Sequence, residues 1–516
     1  MFKFGVANLR RLKETPAIEV KPITLLVGRN SSGKSTFLRS LPLIKQSVKT
    51  RTNAPILWYG DYVDFGSFNQ SVYCNDTSND ISFTFVLDDL PIEQSHHYTF
   101  SRMFGLSPDK IINEIELRYT IAAHESKTRL KSIECRINPA KRIFNLYLSP
   151  SGQATHFTMN GNDILDYFSG HRIFVPVGDI FPYVGFAPES IEDRQRPDRE
   201  LRNIRILQGA GSIIRKSIKR ELDPEQIMRV LSIISGDEVK ESFRFWSKNI
   251  TSETKGLAER IRAEANPFDL YRLKDLSYIN DIIPTLNSAS ERLTSVIDRL
   301  LYIGPARARS ERYYRLQDLA VSEIDADGKN LPMFLNSLDK SQLSDLSEWI
   351  FSLYGFKINV SSSEGHISIN MIDNNNTINI IDTGYGVSQI LPVLAQLWWA
   401  RTRSQNMYTP TILAIEQPEL HLHPAHQSLL ADALTESLDA SNRPYRRPVY
   451  HMIETHSETL INRFGELIYQ KRLSPDNLQI LIFSDPEDGS RSTDVRVSYF
   501  DEFGALQNWP FGFFQH

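Results

Sequence analysis

Residues 28–36 read GRNSSGKST, with PITLLV before them and FLRSLPLI after. The string satisfies G-x-x-x-x-G-K-[ST], and its flanks are the two elements that such a string needs. An apolar run of strand character enters the glycine turn, and a helical pattern leaves it. The spacing has a mechanism: the glycines let consecutive backbone N–H groups turn inward around phosphates, and the helix that starts there adds its positive end. Gly28, Arg29, Asn30, Ser31, Ser32 and Gly33 are therefore expected to form a phosphate cradle. Lys34 is expected to reach the β- and γ-phosphates, Ser35 to place its hydroxyl on Mg²⁺, and Thr36 to support the α-phosphate. The cradle by itself does not separate a kinase from a GTPase or an ATPase.

A second stretch narrows the choice. At 411–424, TILAIEQPELHLHP, an apolar strand climbs to Glu416 and stops, delivering carboxylates to a sheet edge. Some 380 residues separate Thr36 from Glu416, far more than a compact kinase-like or GTPase-like domain inserts into one site. That distance suits ABC-type and SMC-like ATPases, in which a β-subdomain and helical insertions interrupt the nucleotide-binding fold.

Composition is ordinary for a globular chain of 516 residues, with 41% hydrophobic and 23% charged residues. With 58 basic and 62 acidic residues the formal charge is −4, so a nucleic-acid surface has to be a local patch. The two cysteines, Cys74 and Cys135, lie far apart and form no CxxC pair, which argues against a zinc site or a disulfide framework and fits a reducing cytoplasm. The N-terminus has no apolar leader, and no run approaches the ~18 apolar residues of a membrane span, so a cytoplasmic protein without membrane contact is expected.

Texture along the chain predicts an α/β fold in four parts. Residues 1–80 hold the N-terminal part of the nucleotide-binding domain. Residues 81–187 carry ISFTFVL, IELRYTIA, LKSIECRI, IFNLYLS and THFTM, which read as an antiparallel β-subdomain. Residues 188–300 turn helical and read as an insertion, and 301–516 return to strands and helices that complete the domain. Within 191–222, nine Arg and Lys residues stand against five acids. A solvated, ion-paired face is the expected reading, with DNA contact along the basic stretch as the alternative. In HLHP the two histidines are two apart, but the loop lacks the third and fourth ligands of a zinc site.

The stretches TLLVGRNSSGKSTFL, YVDFGSF, LLYIGPARARSERYY, DTGYGVSQILPVL, ILAIEQPELHLHP, IETHSETL and NWPFGFF together resemble stand-alone ATPases of the ABC/SMC-like AAA group, related to the OLD family and to the ATPase subunits of antiphage systems such as Septu. The resemblance leaves 188–300 uncovered. It implies an ABC-type P-loop sheet, ATP and Mg²⁺ as ligands, and ATP hydrolysis. It also implies homo-oligomers in which nucleotide is sandwiched between copies, and a separate effector nuclease, of HNH or another type, as partner. DTGYGVSQ is similar to the signature loop, with Gly384, Gly386, Ser388 and Gln389 meeting the γ-phosphate held by a second copy. His456 in MIETHSETL takes the place of a switch histidine. In related ATPases the apolar strand ends in an acidic pair, one acid holding magnesium through water and the next polarising the attacking water. Here those places hold Glu416 and Gln417. An amide can orient water but cannot take its proton near neutral pH, so Glu419 is expected to supply the carboxylate, or turnover is slow. Gln70 is the candidate second contact to the metal, and Arg10 the candidate to stack on or neutralise the nucleotide. Only 60 residues follow His456, too few for a fused nuclease of the OLD kind, so cutting is expected to fall to a partner.

Overall fold

The structure is a computed structural model, and it describes residues 2–92, 110–138, 141–168, 171–188, 204–234, 243–245, 252–317, 321–373, 376–402, 410–439, 449–486 and 491–510. The strand that enters the glycine turn, Ile23–Gly28, sits inside a seven-stranded sheet. Across the sheet the order is Leu301–Ile303, Thr411–Glu416, Val449–Glu454, Ile23–Gly28, Leu478–Ser484, Asp494–Phe500 and Leu506–Gln507. The first five are parallel, and the last two pairings, Leu478–Ser484 with Asp494–Phe500 and Asp494–Phe500 with Leu506–Gln507, are antiparallel.

Both faces of the parallel part are covered, which explains why its strands are apolar almost throughout. Period-two alternation then assigns the faces. Leu26, Ala414, Met452 and Leu481 join the core beneath the helix Lys34–Lys49. Leu25, Ile415, Ile453 and Ile482 join a second core with the helix Tyr385–Thr402. Glu416 and Glu454 are partners across neighbouring strands, and Glu454 is partnered in turn with Leu26. By that register both carboxylates lie on the face of the Lys34–Lys49 helix.

The expected meander is present: Ile81–Ile92, Lys110–His124, Lys127–Asn138, Arg142–Leu148 and Ala154–Met159 pair successively in antiparallel fashion. Its sheet also takes in the N-terminal strand Phe2–Leu9, paired with Ile81–Ile92, so one sheet runs across the texture change at 80/81. The expected helical insertion contains Ile204–Ile218, Pro224–Ile234, Ser252–Glu264 and the long Pro267–Asp298. That last helix, N-capped by Asn266, packs against both the Lys34–Lys49 helix and the strand Ile81–Ile92. The insertion therefore shares a core with the helix Lys34–Lys49.

The basic stretch is paired at three of its described positions, while Lys219 and Arg220 are exposed. Lys216 bonds Asp269 at 2.9 Å, Arg215 bonds Glu221 at 2.7 Å, and Arg205 donates to the Asp166 carbonyl at 2.9 Å. Arg194, Arg196, Arg199 and Arg202 lie outside the described residues, as does the end of NWPFGFF.

A buried histidine gives the fold a pH dependence. His451, in the strand Val449–Glu454, is 0% exposed, its Nε2 2.7 Å from Ser437 Oγ, and burial pushes its pKa down to about 3. It is neutral in the folded chain, whereas the unfolded chain protonates it near 6.5. Its contribution is whole above pH 6.5 and shrinks as pH falls toward 3, by at most about 1.4 kcal/mol per unit. Urea midpoints of wild type and His451→Gln between pH 7 and 4.5 are expected to converge as pH falls, and parallel curves would contradict this.

Candidate functional site

The glycine turn has a backbone that only its own residues allow. Gly28 has φ +151°, and a Cβ there would lie 2.3 Å from the Phe483 carbonyl oxygen of the neighbouring strand. Gly33, at φ +101°, opens the helix Lys34–Lys49. Arg29, Asn30 and Ser31 are exposed along the turn, while Ser32 and Thr36 are buried. Lys34 is 3% exposed and curls over the turn, donating to the carbonyls of Gly28 at 2.9 Å and Arg29 at 2.7 Å. Burial holds its ammonium below the usual lysine range, with Glu454 opposing the effect. Two clamps come from outside the motif: Arg11 donates to the Ser31 carbonyl at 2.8 Å while pairing with Asp485 at 2.6 Å, and Thr493 Oγ1 donates to the Ser32 carbonyl at 2.8 Å.

The carboxylates divide the work in a way the sequence did not indicate. Glu416, 1% exposed, accepts two parallel bonds from Arg39, both 2.7 Å, and a third from the Tyr302 hydroxyl at 2.6 Å. The pairing holds the Arg39 guanidinium above its ordinary pKa. Arg307 steadies the same strand end, donating to the carbonyls of Glu416 at 3.0 Å and Gln417 at 3.3 Å. The neighbouring strand ends in Glu454, 2% exposed, whose Oε1 accepts from Ser35 Oγ at 2.8 Å and whose Oε2 has no hydrogen-bond partner. Burial pushes the Glu454 carboxyl above the usual range, and Glu416 adds to the effect.

Gln417 takes a left-handed φ of +42°, its N–H bonded to the Glu454 carbonyl at 2.8 Å. That turn swings Glu419 back under the switch loop. Glu419 is 7% exposed and its Oε1 accepts the His456 N–H at 2.7 Å; burial raises its pKa. His456 itself keeps its side chain open to solvent, and partial desolvation of its ring together with the charge of Lys34 lowers its pKa. Ser457 caps the helix Glu458–Tyr469 and donates to Gln427 at 2.6 Å, tying the switch loop to the helix Pro424–Asp439 that follows HLHP. Thus Lys34, Ser35, Glu416, Gln417, Glu419 and His456, drawn from opposite ends of the sequence, converge on three neighbouring strand ends.

The remaining candidates stand further out. Arg10 lies with its guanidinium 4.3 Å from the Phe65 ring centre and donates to the Asp64 carbonyl at 3.4 Å, beside the YVDFGSF segment. Burial, then the charge of Arg39, lowers its pKa. Gln70 is exposed and its amide oxygen caps its own short helix, accepting from the Ser67 N–H at 3.0 Å. In the DTGYGVSQ turn, Gly384 is exposed at φ +89°, whereas Ser388 is 7% and Gln389 2% exposed. Gly386 sits against HLHP, where a Cβ would lie 3.1 Å from the His421 carbonyl oxygen. The turn therefore exposes Gly384 and Asp382, the latter paired with Arg312, while Ser388 is buried.

Sequence reasoning missed Glu454, Arg39, Tyr302, Arg307 and Arg11. Tyr302 and Arg307 belong to LLYIGPARARSERYY, whose likeness was visible without its roles, and Glu454 stands two residues before the switch histidine. The arrangement fits a magnesium ion beside a triphosphate. Ser35 offers a hydroxyl and Glu454 a buried oxygen without a partner, and Mg²⁺ commonly takes only one or two protein oxygens when phosphates and waters supply the rest.

Residues 209–461 match the family model described as AAA ATPase domain, a span that holds the Glu416, Glu454 and His456 strand ends but begins after the glycine turn. No curated protein matches the chain. Among solved structures, an SMC head bound to the C-winged helix domain of ScpA is 11% identical over 96% of both chains, at a TM-score of 0.34. An SMC head from Pyrococcus furiosus, with an extended coiled coil and bound to the C-terminal domain of ScpA, is 12% identical over 96% of each chain at 0.34. The SMC head domain from Thermotoga maritima is 7% identical over 96% of this chain and 97% of that one, again at 0.34. A score of that size carries no weight, and the fold rests on the sheet order above. Residues 209–461 are thus similar to an AAA ATPase domain, and the strand ends that converge beside the glycine turn belong to a mixed α/β fold.

Proposed function

We propose that this chain binds and hydrolyses ATP with Mg²⁺ as an ABC/SMC-like ATPase, that nucleotide joins copies of it, and that the joined state restrains or releases a separate effector nuclease in antiphage defence. The observation that carries the reading is the bond between Glu419 and the His456 N–H, which ties the hydrolytic strand end to the loop that would sense the γ-phosphate. Lys34 and the N–H groups of residues 28–36 grip the triphosphate, and magnesium, when bound, neutralises charge on the β- and γ-oxygens. Gln417 orients water. Glu419 takes its proton, because a carboxyl with a pKa raised by burial is a better base than a solvated one. The antiphage role is supported by the resemblance of the quoted motifs.

The exposed Gly384 turn is the surface through which a second copy meets the nucleotide. Nothing lies within 4 Å of the place a Gly384 Cβ would occupy, so a glutamate has room to put negative charge against incoming phosphate; the φ of +89° strains any side chain there, a cost that the control Gly384→Ala shares without the charge. Gly384→Glu is expected to keep ATP binding within about threefold while abolishing ATP-dependent dimers in mass-resolved light scattering. Wild type that remains monomeric with ATP and Mg²⁺, or a variant that dimerises normally, would remove the sandwich from the proposal. Plaque assays on cells carrying the gene with its neighbours check the defence role, protection being expected to vanish with the Lys34→Ala allele.

A further inference from the structure

We propose that Glu323 is a positioning residue for the nucleotide site. It clamps a strap, residues 322–330, that passes round the edge of the seven-stranded sheet and joins the helix opening at the glycine turn to the helix opening at DTGYGVSQ. The inference rests on the reading of the site as one for ATP, and it adds a route by which nucleotide held at Lys34 acts on the turn that meets a second copy.

The two helices lie on opposite faces of the sheet, Lys34–Lys49 with one core and Tyr385–Thr402 with the other. The strand Leu301–Ile303 ends the sheet, and the residues just after it fasten the strap to that edge. The Gly304 N–H donates to the Ala326 carbonyl and the Ala308 N–H to the Asp327 carbonyl, both at 2.7 Å. On one face the strap is held by charge. Glu323 accepts from Lys45 Nζ at 2.9 Å on each oxygen, from the Tyr62 hydroxyl at 2.5 Å on Oε1, and from Lys49 Nζ at 3.3 Å on Oε2. Those four contacts match the roughly four acceptor sites of a carboxylate. Lys45, at 0% exposure, depends on them, because a buried ammonium needs a partner. On the other face the strap is held by hydrogen bonds and packing. Trp399 Nε1 donates to the Ser322 carbonyl at 2.9 Å, and the Ile324 N–H donates to Oε1 of the buried Gln396 at 3.2 Å. A Cβ on Gly328, at φ +72°, would lie 3.1 Å from the Pro392 side chain.

Ser322 and Ile324 thus bond the helix Tyr385–Thr402, while Glu323 between them bonds the helix Lys34–Lys49. A displacement of Lys45 reaches Trp399 and Gln396 through two peptide units, a contiguous path of the kind that carries coupling. The strap also borders a cavity of about 970 Å³ that extends to Arg39 and Tyr302, which leaves it room to shift.

The test is hydrogen exchange of the amides in residues 392–402, away from the DTGYGVSQ turn, with and without Mg²⁺·ATP, beside calorimetric ATP affinity. In wild type, Mg²⁺·ATP is expected to slow exchange there about tenfold. Lys45→Met with Glu323→Gln cuts the strap from one helix and leaves no stranded buried charge. Trp399→Phe cuts it from the other and keeps a ring there. Each is expected to bring the slowing below about twofold while ATP affinity stays within about threefold of wild type. All three substitutions together should lose no more than either cut alone, since both interrupt one path. Glu323→Asp, with Lys45 intact, should restore part of the slowing. Wild-type slowing in either cut, additive losses, or a loss of ATP affinity in step with the slowing overturns the assignment. A wild-type chain that binds ATP without any slowing at 392–402 overturns the route and leaves the ATP site standing. One that binds no ATP overturns the reading of the site, and the route with it.

Discussion

Replacing Lys34 by alanine is expected to lower ATP affinity by about two to three orders of magnitude. The ammonium is buried over the glycine turn, and in this structure it is satisfied by the Gly28 and Arg29 carbonyls. A triphosphate offers it anionic oxygens in their place, and hydrogen bonds to charged partners contribute about 1.5–3 kcal/mol each. Two such bonds account for the expected loss at about 1.4 kcal/mol per factor of ten. Because Lys34 holds no element other than the loop itself, Lys34→Ala should melt close to wild type, so the loss is one of binding. Calorimetry with ATP in EDTA and in Mg²⁺ measures it, and an affinity within threefold of wild type in both would remove Lys34 from the phosphate site.

The second large effect concerns stability. Arg39→Met leaves the Glu416 carboxylate, whose side chain is 2% exposed, with the Tyr302 hydroxyl as its only remaining side-chain donor among the described residues. Removing one partner of a buried ion pair typically costs about 3–5 kcal/mol, because the other charge stays buried and uncompensated. Arg39 is itself 31% exposed at the side chain, so the lower part of that range is the expected one. The double variant Arg39→Met with Glu416→Gln removes the stranded charge and should recover most of the loss. Urea midpoints of the two variants and wild type decide the matter: equal midpoints for wild type and the single variant would show that the pair contributes nothing to the fold.

Much of the site was legible from local pattern because each part has a short-range cause. GRNSSGKST encodes its own turn and helix start, TILAIE its own strand, and MIETHSETL a strand, a cap and a helix. The meander was legible for the same reason, each strand pairing with the next along the chain. The insertion was legible as helical, but its packing was not: the Pro267–Asp298 helix backs the helix Lys34–Lys49, a contact between residues far apart in sequence. Lys45 shows the same gap. It reads as one more lysine on an amphipathic helix, yet it is 0% exposed, bonded to Glu323 at 2.9 Å and to the Leu300 carbonyl, with burial pushing its pKa down to about 8.

What the sequence by itself determined is the set of elements and the backbone of the glycine turn, since glycine placement, β-branched runs and helix starts act within a few residues. Only the tertiary structure decided what each acid touches. Glu416 and Glu454 are both acids at the ends of apolar strands. The parallel pairing of Val449–Glu454 with Ile23–Gly28 sets Glu454 beside Ser35 and leaves Glu416 to Arg39 and Tyr302, because a carboxylate's role follows from the charges that surround it in space.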